Sequence, residues 1–164
     1  MMNEILGDIR EEIGEVNLIN SCGGRGCRVD MVDIPSERII VNVDTAFPAH
    51  QIAGKRCDRI LVYGDTTQNR LVVAFIELKS GTFKATDVCA QLQASVSLFS
   101  NLIPRVLEIT CIPILFHGRG VSKLQLKDLN RSPVRFRNQK FPIRLSRCGV
   151  PRNLASVLSR SGNL

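Results

Sequence analysis

Residues 70–79 read RLVVAFIELK, in which six consecutive apolar residues are followed by Glu77, Leu78 and Lys79. A short apolar run rich in β-branched and aromatic residues predicts a buried β-strand. Side chains alternate between the two faces of a strand, so Glu77 and Lys79 share one face. Burying unpaired charges is costly, and a metal ion or an opposing acid would compensate for that cost. This strand therefore requires another segment of the chain to bring a partner to Glu77.

Asp58 is the acid that the sequence offers as this partner. It begins DRILVY, a second predicted strand, and the turn GDTTQN joins that strand to the apolar run. In an antiparallel hairpin closed by Tyr63 and Arg70, Asp58 lies diagonally from Glu77, roughly 7–8 Å away between backbones. A register shift of two residues would place the two acids directly opposite each other. In both registers two carboxylates converge beside a lysine.

Two carboxylates beside a lysine are suited to metal-assisted chemistry on phosphates. Carboxylate oxygens are ligands that Mg²⁺ and Mn²⁺ prefer. Such a metal polarises a phosphate and activates a water molecule, and Lys79 would position that water or stabilise developing negative charge. The pattern predicts Asp58 and Glu77 as metal ligands and catalytic residues, and Lys79 as a catalytic residue.

The remaining patterns predict an α/β fold with a mixed central β-sheet flanked by α-helices, in a single domain spanning residues 1–164. Helices are expected at 3–16 and 85–102, where apolar residues recur at helical spacing, and a short final helix is expected at 151–159. Strands are expected at 28–34, 38–44, 58–63, 70–79 and 106–116. Two shorter strands, 134–138 and 141–146, are expected around a turn at Gln139-Lys140.

The order of these residues resembles the PD-(D/E)XK nuclease superfamily. In that family an Asp begins one strand, a Glu-x-Lys ends the next, and a helix that often carries a Gln follows. This chain has Asp58, 18 intervening residues and then Glu-Leu-Lys ending at Lys79. The resemblance covers residues 3–116 in element order and is sharpest over 58–91. It implies a restriction-endonuclease-like core.

The resemblance also implies two further site residues. Gln91 is the better match to the family's helix Gln, because it lies at the edge of the apolar face of its helix. Many family members place an acid on an N-terminal helix, and Glu12 is the acid that borders the apolar stripe of the first helix. Gln91 is therefore expected among the catalytic residues and Glu12 among the metal ligands. The family's Pro before the first Asp is replaced here by Cys57.

The function implied by the resemblance is a metal-dependent nuclease that uses Mg²⁺ or Mn²⁺ to hydrolyse phosphodiester bonds. A DNA endonuclease acting in defence or DNA processing is the main expectation. A catalytically inactive nucleic-acid-binding or interaction module on the same fold is the alternative, and a zinc-stabilised interaction protein is another. With so short a chain, specificity would come from a homodimer or from a partner protein.

Positive charge is concentrated at the C-terminal end. The chain holds 22 Lys and Arg and 15 Asp and Glu; residues 117–164 hold 11 of the former and only one of the latter, Asp128. Such a segment attracts a polyanion, although a solvated basic surface would look the same. The candidate nucleic-acid contacts are basic residues near Asp58 or on the short C-terminal strands: Lys55, Arg56, Arg135, Arg137, Arg144 and Arg147.

Six cysteines raise the questions of disulfides and zinc. No signal peptide and no apolar run long enough to span a membrane is evident, so a cytoplasmic protein without membrane contact and with mostly reduced thiols is expected. Cys22 and Cys27 flank the loop Gly-Gly-Arg-Gly and would form half of a zinc site. Cys57, Cys148 or His50 would complete it.

Overall fold

The computed structural model describes residues 1–48, 55–105 and 107–160. Its centre is a five-stranded mixed β-sheet with strand order β1-β2-β3-β4-β7, and a separate two-stranded hairpin is formed by β5 and β6. The strands are β1 (Arg38–Asn42), β2 (Arg59–Asp65), β3 (Arg70–Lys79), β4 (Ile109–His117), β5 (Val134–Phe136), β6 (Gln139–Phe141) and β7 (Arg144–Arg147). The helices are α1 (Met2–Ile13), α2 (Val43–Ala46), α3 (Ala85–Phe99), α4 (Lys123–Arg131) and α5 (Asn153–Ser159).

The sheet joins an antiparallel half to a parallel half. Strands β1, β2 and β3 pair antiparallel in sequence order, whereas β3, β4 and β7 run parallel. Parallel neighbours need a crossover connection, and α3 supplies it between β3 and β4. The predicted mixed sheet with flanking helices is confirmed at this level.

Each face of the sheet is covered by different elements. Leu71, Val73 and Phe75 of β3 point into a core shared with α1, α3, α4 and β5. Val72 and Ile76 point to the other face, where the loop from Cys22 to Ile34 and helix α5 cover the sheet. Burial on both faces explains why β3 is a continuous apolar run with no polar alternation.

Several element boundaries differ from the sequence prediction. Helix α1 ends at Ile13 because Gly14 adopts φ 89°, outside helical geometry. Val16, predicted to belong to its apolar stripe, is 87% exposed. Helix α3 stops at Phe99 and a short 3₁₀ turn follows it, and β4 begins at Ile109.

The predicted strand at 28–34 is wrong. This segment is a loop: the Asp30 carboxylate accepts hydrogen bonds from the backbone N–H of Val32 and of Arg152. Asp33 has φ 65°, a left-handed conformation that no regular strand contains. Asp favours such turns because its short carboxylate satisfies nearby backbone donors.

The C-terminal hairpin turns two residues earlier than predicted. Arg137 and Asn138 both have positive φ, as a two-residue hairpin turn requires. Gln139 and Lys140 are therefore part of β6 and not of the turn. Helix α4 has no counterpart in the prediction, although Ser122 and Gln125 form a capping box at its start, a signal that is readable in the sequence.

One pair of cysteines is joined, contrary to the prediction for that pair. Cys27 and Cys148 form a disulfide with Cα atoms 5.0 Å apart. The loop that covers the sheet brings Cys27 to the end of β7, a proximity that the sequence separation of 121 residues concealed. The other four cysteines, Cys22, Cys57, Cys89 and Cys111, are free thiols.

No helix within residues 1–48, 55–105 and 107–160 combines the length and the apolar character needed to cross a lipid bilayer.

Candidate functional site

Asp58 and Glu77 meet on the face of the sheet that is covered by α1 and α3. Strand β2 pairs with β3 so that Arg59 is opposite Ile76 and Asp65 is opposite Arg70. The residue opposite Arg70 is therefore Asp65 and not Tyr63, a shift of two residues from the predicted register. Extending the observed register by one residue beyond the Arg59–Ile76 pair places Asp58 opposite Glu77. Both side chains are buried, with Asp58 5% and Glu77 1% exposed.

Backbone contacts hold the Asp58 carboxylate in place. Its Oδ2 accepts a hydrogen bond of 2.8 Å from the Leu78 N–H, and its own N–H donates to the Ile76 carbonyl at 3.0 Å. Cys57, immediately before it, donates its backbone N–H to the Ser95 hydroxyl of α3 at 2.7 Å. Strand β3 and helix α3 therefore fix Asp58 from two sides.

The Glu77 carboxyl is the unsatisfied member of the pair. Its Oε2 is buried and has no hydrogen-bond partner in the part of the chain that the structure describes. Burial first, and then the hydrogen bond and negative charge of Asp58, raise the pKa of Glu77 from 4.5 to about 10. These surroundings favour the neutral form of the Glu77 carboxyl, because ionising two adjacent buried carboxylates is unfavourable.

Lys79 is the nearest cation on the same strand. Its Nζ lies 4.0 Å from Glu77 Oε1, the outer limit of an ion pair, and its side chain is about a quarter exposed. The parallel pairing of β3 with β4 places His117 next to Lys79, and Nδ1 of His117 is buried without a partner among the described residues. Burial and the charge of Arg147 lower the pKa of His117.

Gln91 is a half-buried residue of α3. It precedes Ser95 by one helical turn, and Ser95 contacts the residue before Asp58. The Gln91 Oε1 is buried and lacks a hydrogen-bond partner within the described ranges. Gln93, the other glutamine of the helix, bonds to the backbone of Arg135 through both atoms of its amide.

Arg25 is a member of the site that the sequence analysis missed. Its Nε lies 2.6 Å from Asp58 Oδ1, and its Nη2 donates to Asp44 Oδ2 at 2.8 Å. Asp44 lies in the single turn of α2, and its Oδ1 is 3.4 Å from Nη2 of Arg56. A lone arginine between glycines was the only sequence signal for this contact.

Glu12 does not join these acids. It is exposed and lines a surface groove with Asn101, Leu102 and Pro104, which follow the C-terminal end of α3. Within the described residues no three metal-ligating side chains are grouped, so Glu12 does not complete a set of ligands with Asp58 and Glu77. The apolar stripe correctly predicted which face of α1 packs against the core. It did not predict which part of the core lies next to Glu12.

The six predicted basic contacts do not form one surface. Lys55 pairs with Asp87, and Arg56 pairs with Asp44. Arg137 donates to the backbone carbonyls of the segment after α3, and Arg144 donates to the carbonyls of Val157 and Leu158 at the end of α5.

The other two arginines remain accessible on separate elements. Arg135 lies on β5 and Arg147 lies at the end of β7, and both are exposed. Arg147 pairs in register with His117, so it lies in the same row as Lys79. Arg144 is three residues away on the same strand and therefore points to the opposite face of the sheet.

A zinc site at Cys22 and Cys27 is contradicted by the disulfide, because Cys27 is bonded to Cys148. Cys22 is fully buried, and burial raises the pKa of its thiol to about 12, which disfavours the thiolate that zinc requires. His50, the remaining candidate ligand, lies outside the described residues.

The donor set at Asp58 and Glu77 fits a hard divalent cation held by few protein ligands. Within the described residues, no three His, Cys, Asp or Glu side chains are grouped so that they could hold a metal. Mg²⁺ is often held by only one or two carboxylates, with water and phosphate completing its shell. The orphaned Oε2 of Glu77 is an oxygen that such a cation would satisfy.

No protein-family model, no curated protein and no solved structure matches this chain.

Proposed function

We propose that this protein is a metal-dependent nuclease that hydrolyses phosphodiester bonds, with DNA as its main substrate. The observation that carries the proposal is the buried pair Asp58 and Glu77, of which one oxygen has no described partner, with Lys79 beside it. Burying two acids together is unfavourable in a core unless a cation compensates for it. The resemblance to PD-(D/E)XK nucleases, sharpest over residues 58–91, supports the same assignment.

Each residue has a separate role in this proposal. Asp58 and Glu77 would hold Mg²⁺ or Mn²⁺, which supplies positive charge to a phosphodiester oxygen and to an attacking water. Lys79 presents its ammonium at the rim of the pair, where it stabilises negative charge that develops on the phosphate. Gln91 would orient the water or the phosphate through its side-chain amide, whose Oε1 is buried without a described partner one helical turn from Ser95.

A catalytically inactive nucleic-acid-binding module is the second candidate, and one observation favours it. Arg25 already neutralises Asp58 through a contact of 2.6 Å, which gives that acid a structural partner. In that case the acid pair and Arg25 would tie a loop to the sheet, and the basic C-terminal segment would still bind a polyanion.

Cleavage measured on site variants tests the choice. The substrates are plasmid DNA and oligonucleotides of duplex DNA, single-stranded DNA and RNA. Wild-type protein should cut at least one of them in the presence of Mg²⁺ or Mn²⁺ and none of them in EDTA. Asp58→Ala and Glu77→Ala should lower cleavage at least about a hundredfold and weaken Mn²⁺ binding, because each removes a ligand. Lys79→Ala should lower cleavage similarly but leave Mn²⁺ binding largely intact, because an ammonium cannot ligate a cation. Gln91→Ala should have a milder effect.

The control is Glu11→Ala, which removes an exposed acid of α1 and should leave cleavage unchanged. Absence of cleavage by wild-type protein on every substrate, together with retained nucleic-acid binding, would favour the inactive module. Early melting of Asp58→Ala, Glu77→Ala and Lys79→Ala would show that the charged cluster is structural, since breaking a buried ion pair costs about 3–5 kcal/mol.

A further inference from the structure

Arg25 occupies the place beside Asp58 where a metal would need to bind. Its Nε contacts Asp58 Oδ1 at 2.6 Å, while the other oxygen of Asp58 is engaged by the Leu78 N–H. Asp58 therefore has both oxygens in use when the site is metal-free. The same guanidinium also contacts Asp44 at 2.8 Å, so it has a second anchor that does not depend on Asp58.

The backbone of Arg25 is fixed, whereas its side chain is accessible. The Ser80 hydroxyl donates to the Arg25 carbonyl at 2.9 Å, and the disulfide at Cys27 ties the loop to β7 two residues later. Gly24 passes so close to Arg59 that a Cβ there would meet its guanidinium at 2.6 Å. By contrast, the Arg25 side chain is 57% exposed, so it can leave Asp58 without moving the loop.

We propose that Arg25 is the resident counter-ion of the metal site: it neutralises Asp58 in the metal-free protein and leaves that carboxylate, still held by Asp44, when a divalent cation is bound. This inference rests on the proposed function, because it assumes that Asp58 is a metal ligand. It adds a residue that the metal must compete with, and it gives the buried Asp58 carboxylate a positively charged partner. The measured affinity for the divalent cation then depends on how much more strongly that cation binds the Asp58 carboxylate than the Arg25 guanidinium does.

Mn²⁺ binding to the full-length protein, measured by isothermal titration calorimetry without nucleic acid, tests this role. Arg25→Gln should bind Mn²⁺ about ten- to hundredfold more tightly than wild type, because a charge-assisted hydrogen bond to Asp58 no longer has to be broken. Arg25→Lys keeps the positive charge but cannot contact Asp58 and Asp44 at once as the guanidinium does. Its Mn²⁺ affinity should fall between those of wild type and Arg25→Gln.

Arg56→Gln is the matched control. It also removes a guanidinium from Asp44, but Arg56 makes no described contact with Asp58. It therefore reports the general effect of losing one positive charge near the acids, which should change Mn²⁺ affinity only about two- to threefold at ordinary salt, as expected of a screened interaction. Melting temperatures of all variants confirm that they are folded.

The outcomes separate this inference from the proposed function. Wild-type or weaker Mn²⁺ affinity in folded Arg25→Gln, with cleavage present in wild type, would overturn the role of Arg25 and leave the nuclease assignment standing. If Arg25→Gln does not fold, an Arg25→Lys affinity equal to wild type would overturn it. Absence of Mn²⁺ binding in wild type and in both Arg25 variants, with no cleavage, would reject both proposals.

Discussion

At the scale of single residues, the chemistry of this protein depends on how Glu77 is kept in the core. Its carboxyl is almost fully buried and lies against Asp58. The ammonium of Lys79 is 4.0 Å away, at the outer limit of an ion pair. These surroundings favour the neutral acid, so its pKa is raised to about 10. If the proposed metal binds here, its binding would be coupled to release of a proton from this carboxyl.

Glu77→Gln tests this protonation state through stability. The pKa of the carboxyl is about 10 in the folded protein and near 4.5 when unfolded, so its contribution to stability is complete below about pH 4.5. That contribution is lost progressively as pH rises towards 10, because the unfolded chain then ionises more readily than the folded one. Glutamine cannot ionise and removes this loss.

The measurement is the melting temperature in EDTA from about pH 5 to about pH 9. We expect the wild-type value to fall relative to that of Glu77→Gln as pH increases, with Lys79→Gln as a comparison that keeps the carboxyl. Parallel curves for wild type and Glu77→Gln over this range would contradict a protonated Glu77.

At the scale of elements, α4 carries three of the eleven basic residues of the segment 117–164. Lys123, Lys127 and Arg131 follow one another at four-residue spacing, so they form one ridge with neighbours about 6 Å apart. All three are exposed and take part in no ion pair within the described ranges. The helix begins beside the loop that follows β3, with which residues 119–122 form a groove.

A charge reversal on this ridge should weaken binding to duplex DNA. We expect Lys127→Glu to lower affinity several-fold at low salt and to reduce the slope of log affinity against log salt by about 0.9, the value for one lost phosphate contact. Lys140→Glu, on β6, makes the same charge change away from the ridge. Fluorescence polarisation across a salt series measures both, and equal slopes for the two variants would rule out a specific role for α4.

At the scale of the whole molecule, the Cys27–Cys148 disulfide connects the N-terminal loop to the last strand of the sheet. Backbone bonds reinforce the junction: the Gly149 N–H donates to the Arg28 carbonyl, and the Asn153 side chain donates to the carbonyls of Arg28 and Arg147. The loop that carries Arg25 is therefore attached to the segment that follows β7.

Removing this bridge should destabilise the protein by about 2–5 kcal/mol, because it closes a long segment of chain and restricts the unfolded state. Urea unfolding of wild type with and without a phosphine reductant measures the effect. The double variant Cys27→Ser, Cys148→Ser should unfold like reduced wild type and should not respond to the reductant. A wild-type midpoint that is the same in both conditions would show that the bridge is absent in solution.

Local patterns in the sequence determined the part of the site that lies on one hairpin. The period of two in β3 places Glu77 and Lys79 on one face whatever packs around them. The register needed correction by two residues, because turn length is set by the conformations of the turn residues and not by the apolar pattern. The mixed sheet followed from the order of the predicted elements.

Only the tertiary structure decided which distant residues reach that hairpin. Arg25 meets Asp58 because its loop crosses the end of the sheet, whereas α1 places Glu12 in a groove with the segment that follows α3, where it does not group with the acid pair. Some arginines that the sequence suggested as nucleic-acid contacts donate hydrogen bonds to backbone carbonyls of this chain instead, as Arg137 does. Amphipathic period specifies which face of an element is buried, whereas the position of a side chain along that face depends on packing between segments remote in sequence.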